Sequence, residues 1–491
     1  MKDNNMKKHI GFIRFIITLI VLSLLAWLFL YDGLTKTETK LGVREINGTA
    51  RIAFIGNEQQ MMTAIDNQLN SGLTELQPDG NWKPSHLTES FTVSDDKLSW
   101  TAVLKKNLKW SDGSSLTVDD ILNSLKTNLN AGDYGARLTK NIKNIHASND
   151  SIIFALRKPM AVLPFLLSDP AHAIIRTGSD NRITSGYYSV DNKTDDSITL
   201  KANAWIGNQH SGTIAIKTIT DDATALKALD ENETDYVIKD SRINGNVDTA
   251  KYDVNRGNST RRTVIAFNGR LDADKPLFSD AHFRQGFRKA IDSNAVMDSL
   301  GDDGSIIGSP YVPGTYGYQD DTAAYAYDPA GGRYLSTSYF GIRTSRLLWP
   351  ASRGHAFGET IDNNLAQIVQ YTKWEEMDDT TYNQRMTDHD YEMALMDMTG
   401  IDGFKNLLSG NALTSINDQP EVDDTYDAIF TAADDNALIA AIRNAAAAQN
   451  NASQVDWLYA HKTTVISRKG LNAVNPNLID VNMLLQDAGE K

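Results

Sequence analysis

Leu98, Trp100, Ala102 and Leu104 alternate with polar or smaller neighbours just before the run "LKWSDGSSLTVDDILNSL" (Leu108 to Leu125). Period-two alternation predicts a half-buried strand. Ser111, Asp112 and Gly113 supply a turn, with Gly113 free to take a positive φ. Thr117 and Asp120 have the spacing of a helix-capping pair, and Ile121, Leu122, Leu125 and Leu129 then recur on one helical face. Similar apolar runs predict strands at "ARIAFIG" (Ala50 to Gly56), "IIFAL" (Ile152 to Leu156), "ITLKAN" (Ile198 to Asn203) and "TIAIKTI" (Thr213 to Ile219). "DATALKALDENETDYVI" reads as helix, turn and strand. "SDAHFRQGFRKAIDSNAVMDSL" reads as a helix capped by Ser279, with Phe283, Phe287, Ala290 and Ile291 on its apolar face. "ETIDNNLAQIV" and "DNALIAAIRNAAAAQ" are helical, and "VDWLYAHKTTVISRKG" (Val455 to Gly470) reads as a strand pair. Strands and helices alternate throughout, which predicts α/β lobes.

The pattern differs at the N-terminus. Lys2, Lys7, Lys8 and Arg14 precede an uncharged run from Phe15 to Tyr31. Counted from Ile10, such a helix spans roughly 33 Å, enough for a hydrocarbon core of about 30 Å. Basic residues on its N-terminal side keep that end in the cytoplasm and send the remainder outward. The expectation is a cytoplasmic 1–9, a single-pass anchor at 10–31 and a polar stalk at 32–48. A cleaved signal is the alternative; an anchor is favoured because no Ala-x-Ala-like cleavage site follows.

Composition narrows the partners. At 491 residues the chain exceeds one ordinary core. A formal charge of −14 argues against nucleic acid or anionic lipid as the main partner. The absence of cysteine excludes disulfides, thiolate metal sites and cysteine nucleophiles. No Gly-Lys-Ser or Gly-Lys-Thr, His-Glu-x-x-His or Gly-x-Ser-x-Gly occurs. "GDDGSIIGSP" (Gly301 to Pro310) reads as a loop, and "DHD" (Asp388 to Asp390) as a solvated turn in preference to a metal site. The acidic pairs Asp95-Asp96 and Asp119-Asp120 suit turns and helix starts. No catalytic constellation emerges, so neither an enzyme nor a bound cofactor or metal is expected.

The stretch "LTESFTVSDDKLSWTAVLKKNLKWSDGSSLTVDDILNSL" resembles the signature region of the family 5 extracellular solute-binding proteins, the oligopeptide- and dipeptide-binding components of ABC importers. "SGLTELQPDGNWKPSHLTES", "SGYYSVDNKTDDSITLKANAWIG", "FNGRLDADKPLFSDAHFRQGFRKAID", "SPYVPGTYGY", "INDQPEVDDTYDAIF" and "VDWLYAHKTTVISRKGLNAV" resemble further family segments in family order. Together they cover most of residues 50 to 475.

The resemblance implies a two-lobed α/β fold of the large periplasmic-binding-protein type (type II). Lobe I would take 49–265 with an extra subdomain at 73–170, completed by 458–491; lobe II would take 266–457. It implies a monomer that closes on a peptide or other small solute and delivers it to ABC permease subunits. Asn268, Thr399, Gly400, Asp402 and Tyr459 match positions near the family's cleft, although Tyr459 reads more readily as a core aromatic. Two departures stand out. The chain is shorter than the family pattern between "ARIAFIG" and "SGLTEL". In "YEMALMDMTGIDGF", Met398 replaces the tryptophan of a Trp-x-x-Asp motif and Ile401 occupies the aspartate position, with Asp402 one residue on. Either Asp402 takes the α-amino group of a peptide, or the ligand lacks a free amine. A binder of a metal chelate or sugar, and a degenerate surface sensor, remain open beside the peptide reading.

Overall fold

A computed structural model describes residues 48–129, 138–176, 183–206, 211–269, 277–320, 322–400 and 420–489. The expected cytoplasmic segment 1–9, the anchor 10–31, nearly all of the stalk 32–48, and Asp402 lie outside the described residues. Among the described residues no helix is long and apolar enough to cross a membrane.

β1 (Thr49–Ile55) leads into α1 (Glu58–Leu69). A short hairpin follows, β2 (Thr74–Leu76) with β3 (Trp82–Pro84). β4 (Thr88–Val93), β5 (Ser99–Leu104), β6 (Ile142–Ser148) and β7 (Ser151–Leu156) then form an antiparallel sheet in the order β4-β5-β7-β6. The expected alternation is realised: Trp100, Ala102 and Leu104 of β5 and Ile152, Phe154 and Leu156 of β7 are buried. α2 (Val118–Asn128) starts at the expected pair, the Asp120 N–H donating to Thr117 Oγ1 at 3.1 Å and the Thr117 N–H to Asp120 Oδ2 at 2.8 Å. Ile121, Leu125 and Leu129 are buried while Leu122 is half-buried. Gly113 has φ +85°, and a Cβ there would stand 2.9 Å from the Trp205 ring.

The remaining strands build an 11-stranded sheet. Its first half adds β8 (Tyr188–Lys193), β9 (Ser197–Ala202), β10 (Thr213–Ile219), α3 (Asp222–Asp230) and β11 (Tyr236–Lys239). β12 (Tyr252–Phe267) crosses to the second half. There follow α4 (Ala281–Ala290), α5 (Ser293–Ser299), β13 (Gly304–Ile306), β14 (Thr344–Pro350), α6 (Ala356–Ala366), β15 (Tyr371–Met377), β16 (Met393–Met398), α7 (Pro420–Ile429) and α8 (Asp435–Ala452). β17 (Val455–Arg468) returns. The order is β15-β14-β16-β12-β17-β11-β1-β10-β9-β8, with β13 paired to β17. β1 runs parallel to β10 and β11, and β14 parallel to β15 and β16, as α/β connections require. Each half has its own core: Ile52, Ile214, Ile216 and Tyr236 pack with Met61 and Ile65 of α1, and Ile265, Leu347, Trp349 and Leu395 pack with α4 and α6.

Three local expectations are corrected. α4 is capped by Asp280, which accepts from the His282 N–H at 2.8 Å, because Ser279 already belongs to a 3-10 turn at Leu277–Ser279. Phe283, Phe287, Ala290 and Ile291 are nevertheless buried as expected. The C-terminal stretch is one 14-residue strand rather than a pair. It contains no glycine, proline or asparagine to turn on, and it spans both halves of the sheet. Within "GDDGSIIGSP", Gly304–Ile306 forms a strand against His461–Tyr459, too short for periodicity to reveal.

Candidate functional site

β12 and β17 pair from Tyr252 opposite Arg468 to Ala266 opposite Val455. Register breaks between Asn258 and Arg262 and again between Thr263 and Val264. On one side of these breaks β17 is flanked by β11; on the other, β12 is flanked by β16. The irregularity lies where the strand pair passes between the two halves, and such bulges twist a strand and re-aim its side chains.

A polar network gathers there. The Arg261 guanidinium lies 2.7 Å from Asp240 Oδ2 and donates to the Asp240 carbonyl at 2.6 Å. It also reaches His461 Nδ1 at 2.9 Å and Asp397 Oδ2 at 3.2 Å. Asp240 follows β11 in the first half of the sheet and Asp397 lies on β16 in the second. Arg353 continues the chain, 3.0 Å from Asp397 Oδ2 and 2.8 Å from Asp302 Oδ2. The Tyr459 hydroxyl donates to Asp302 at 2.5 Å. Thr263 Oγ1 donates to Asp397 Oδ1 at 2.7 Å and lies 2.8 Å from His461 Nε2.

The electrostatics fix the proton order. Burial, reinforced by the cationic Arg261, pushes His461 well below the ordinary histidine range, so the ring is neutral. With Nδ1 accepting from Arg261, the ring proton sits on Nε2 and points at Thr263, whose own proton serves Asp397. Burial alone would raise Asp397, but the guanidinium groups of Arg353 and Arg261 outweigh it and hold that carboxylate at about 2. Burial pushes Asp240 up to about 7; Arg261 offsets part of this and the nearby Asp480 adds to it. Tyr459 is raised, first by burial and then by the Asp302 charge. The network is not sealed: side-chain exposure is 29% for Asp397 and 20% for Arg353. These groups can bind charge and hydrogen-bonding partners.

The five residues singled out from the sequence are distributed unevenly. Tyr459 enters the network while remaining buried. Gly400, with φ +126°, donates its N–H to Thr260 Oγ1 at 3.1 Å and accepts from Arg262 at 2.9 Å, both residues of the crossing. Thr399 is exposed directly beyond β16. Asn268 sits at the far end of β12, buried, where its amide donates to the His389 carbonyl at 2.7 Å and its N–H to Glu392 at 2.9 Å. Asp402 lies outside the described residues. Sequence reasoning missed Asp240, Arg261, Asp302, Arg353, Asp397 and His461. A signal was available for two of them: Asp397 interrupts the apolar strand "MALMDM", and Arg261 stands in β12 between Thr260 and Arg262. At "DHD", Asp390 pairs with Arg346 and Arg385, and among the described residues no cluster of three or more His, Asp or Glu could hold a metal.

Two α/β halves joined by crossing strands form a fold of the periplasmic-binding-protein type. Residues 84–412, well over half of the chain, match the bacterial extracellular solute-binding proteins, family 5 Middle. The chain belongs to that family. It is 22% identical over 334 residues to heme-binding protein A of Haemophilus influenzae, covering 59% of this chain and 58% of that protein. It is 24% identical over 370 residues to the dipeptide-binding protein of Escherichia coli, covering 65% of this chain and 68% of that one. The chain thus spans little more than half the length of the first of these curated relatives. Among solved structures, the PBP AgaA from A. tumefaciens R10, in complex with agropinic acid, superposes with a TM-score of 0.72 at 17% identity, covering 90% of this chain and 99% of that one.

Proposed function

We propose that this protein captures a small solute, peptide-like in its chemistry, in a cleft at the β12–β17 crossing and delivers it to the permease of an ABC importer. Its moving bodies are lobe I, 49–265 with 458–491, and lobe II, 266–457. The observation that carries the reading is the network from Asp240 through Arg261 to Asp397, Arg353 and Asp302, contributed by both halves of the sheet. A solute touching both halves stabilises the closed arrangement through contacts the open one lacks. The protein acts as a monomer, makes and breaks no covalent bond, and takes no nucleic acid. The apolar segment 10–31 anchors it, and the stalk 32–48 keeps it near its permease. Thr399, Gly400 and Asp402 form part of the rim.

The named relatives are described as binding heme and dipeptides, and AgaA as holding agropinic acid. The family therefore accepts peptides and other small solutes, and we place this chain's solute in that range. Native mass spectrometry of the whole chain, released from its membrane in mild detergent, tests the reading: a co-purified small solute is expected. If peptides are recovered, Asp402→Ala should weaken their binding by calorimetry, and unchanged affinity removes Asp402 as the amine partner. A second reading is a degenerate relative acting as a surface sensor. It is favoured by the mutual pairing of Arg261, Arg353, Asp240, Asp302 and Asp397, and by Ile401 in place of an aspartate. A preparation repeatedly free of any solute would select it.

A further inference from the structure

The core of the 73–170 subdomain does not end at that subdomain. Phe154, Met160 and Leu163 belong to one continuous apolar cluster with Ile429, Phe430 and Ile442, which come from α7, α8 and the turn between them. Backbone and side-chain bonds cross the same seam. The Ala161 N–H donates to the Ala432 carbonyl at 2.9 Å, and the buried amide of Asn141 donates to the Phe430 carbonyl at 3.0 Å. Phe165 and Tyr316 face each other with ring centroids 4.3 Å apart. At Gly80 a Cβ would sit 2.4 Å from the Gly314 carbonyl, so the two backbones are in close approach. Two exposed ion pairs, Lys97 with Asp434 and Lys140 with Asp427, close the rim.

α8 is held at its other end by the second half. Arg284 of α4 donates to the Ala452 and Ser453 carbonyls, and Arg288 to Asn450 at 3.2 Å, all in buried surroundings. One helix is therefore fixed to lobe II by its C-terminal end and to the subdomain of lobe I along its N-terminal part. Separating the lobes would bring apolar side chains into water and strip two hydrogen bonds that are shielded from it. The rim ion pairs add little, since exposed pairs are weak.

Resting on the reading of two closing lobes, we infer that this seam is a clasp that holds the halves shut before any solute arrives, so that solute entry waits on its release. A site that is already shut when empty gives tight binding with slow association.

The cysteine-free sequence makes the test direct. Two cysteines introduced at the exposed positions Glu89 and Asn436 of the full chain take spin labels without background, and pulsed electron resonance reads the distance across the seam. Without solute, one short distance is expected, and Phe430→Ser should lose it in most molecules. If Phe430→Ser fails to fold, Asn141→Ala, which removes one seam bond together with bonds to Lys158 and Pro159 inside the subdomain, is expected to shift part of the population to longer distances. A solute-free parent chain dominated by long distances overturns the clasp. So does a short distance unchanged in whichever variant folds. Neither result touches the capture reading, which stands or falls on recovery of a solute.

Discussion

Around Phe154 the subdomain is closed by apolar side chains: Phe91 stacks on Trp100 at 5.0 Å and meets Phe154 edge-on at 6.2 Å. Around Arg261 the strand crossing is closed by charge, five ionised or ionisable side chains lying within 3.2 Å of a partner. Apolar packing carries no titratable group and so is indifferent to pH. A charge chain depends on protonation and on distances set by two bodies, so it weakens when either body moves. The two regions therefore suit different tasks. The first keeps the subdomain's shape and carries its hold on α7 and α8; the second registers, through charge, whether the halves are together.

That contrast can be attacked directly, beginning with the largest effect. Phe154→Ala should destabilise the chain by about 3–5 kcal/mol in denaturant unfolding, with little dependence on pH, since it removes a fully buried ring. A loss below about 1 kcal/mol would mean that the subdomain core is not closed by this packing. Arg261→Gln should cost a similar amount, about 3–5 kcal/mol, by leaving Asp240 buried beside Asp480 without its cation. The same substitution should shift the lobe distribution in solution scattering toward the open form.

Acid tests the second region further. The folded-state value of about 2 for Asp397 lies below the ordinary aspartate value of 3.8. Its contribution is therefore present above about pH 4 and is lost as pH falls toward 2, on the order of 2 kcal/mol. Asp397→Asn should flatten the unfolding profile in that window. Asp240 acts in the opposite sense. With its folded-state value raised to about 7, it favours the fold below about pH 4 and loses that contribution as pH rises toward 7, so Asp240→Asn should remove a decline in that range. Smallest is the cap: Thr117→Ala should cost about 1 kcal/mol at every pH between 5 and 9, since it removes a hydroxyl that does not titrate there.

How much of this was visible beforehand follows the same division. β5, β7 and α2 were legible because each carries its burial pattern within a dozen residues, and the capping pair at Thr117 and Asp120 is local by construction. β17 was misread as two strands because its length is set by the two half-sheets it joins, which no window of its own residues records. Ser279 was misplaced as a cap by one residue, within the usual uncertainty of helix ends. Of the candidate site, Tyr459 was named without its partner Asp302, which lies 157 residues away. Arg353 and Asp397 carry no mutual signal in the sequence, since they meet only once β14 and β16 are paired.

The sequence by itself determined the alternation of strands and helices, the family through its ordered segments, and the exclusion of cysteine chemistry. Each of these rests on composition or on contacts between near neighbours in the chain. Only the tertiary structure decided which charges meet at the crossing and that the subdomain shares its core with α7 and α8. Those features depend on distances between residues from 21 to 289 positions apart in the chain, and such distances exist only once the sheet has been assembled.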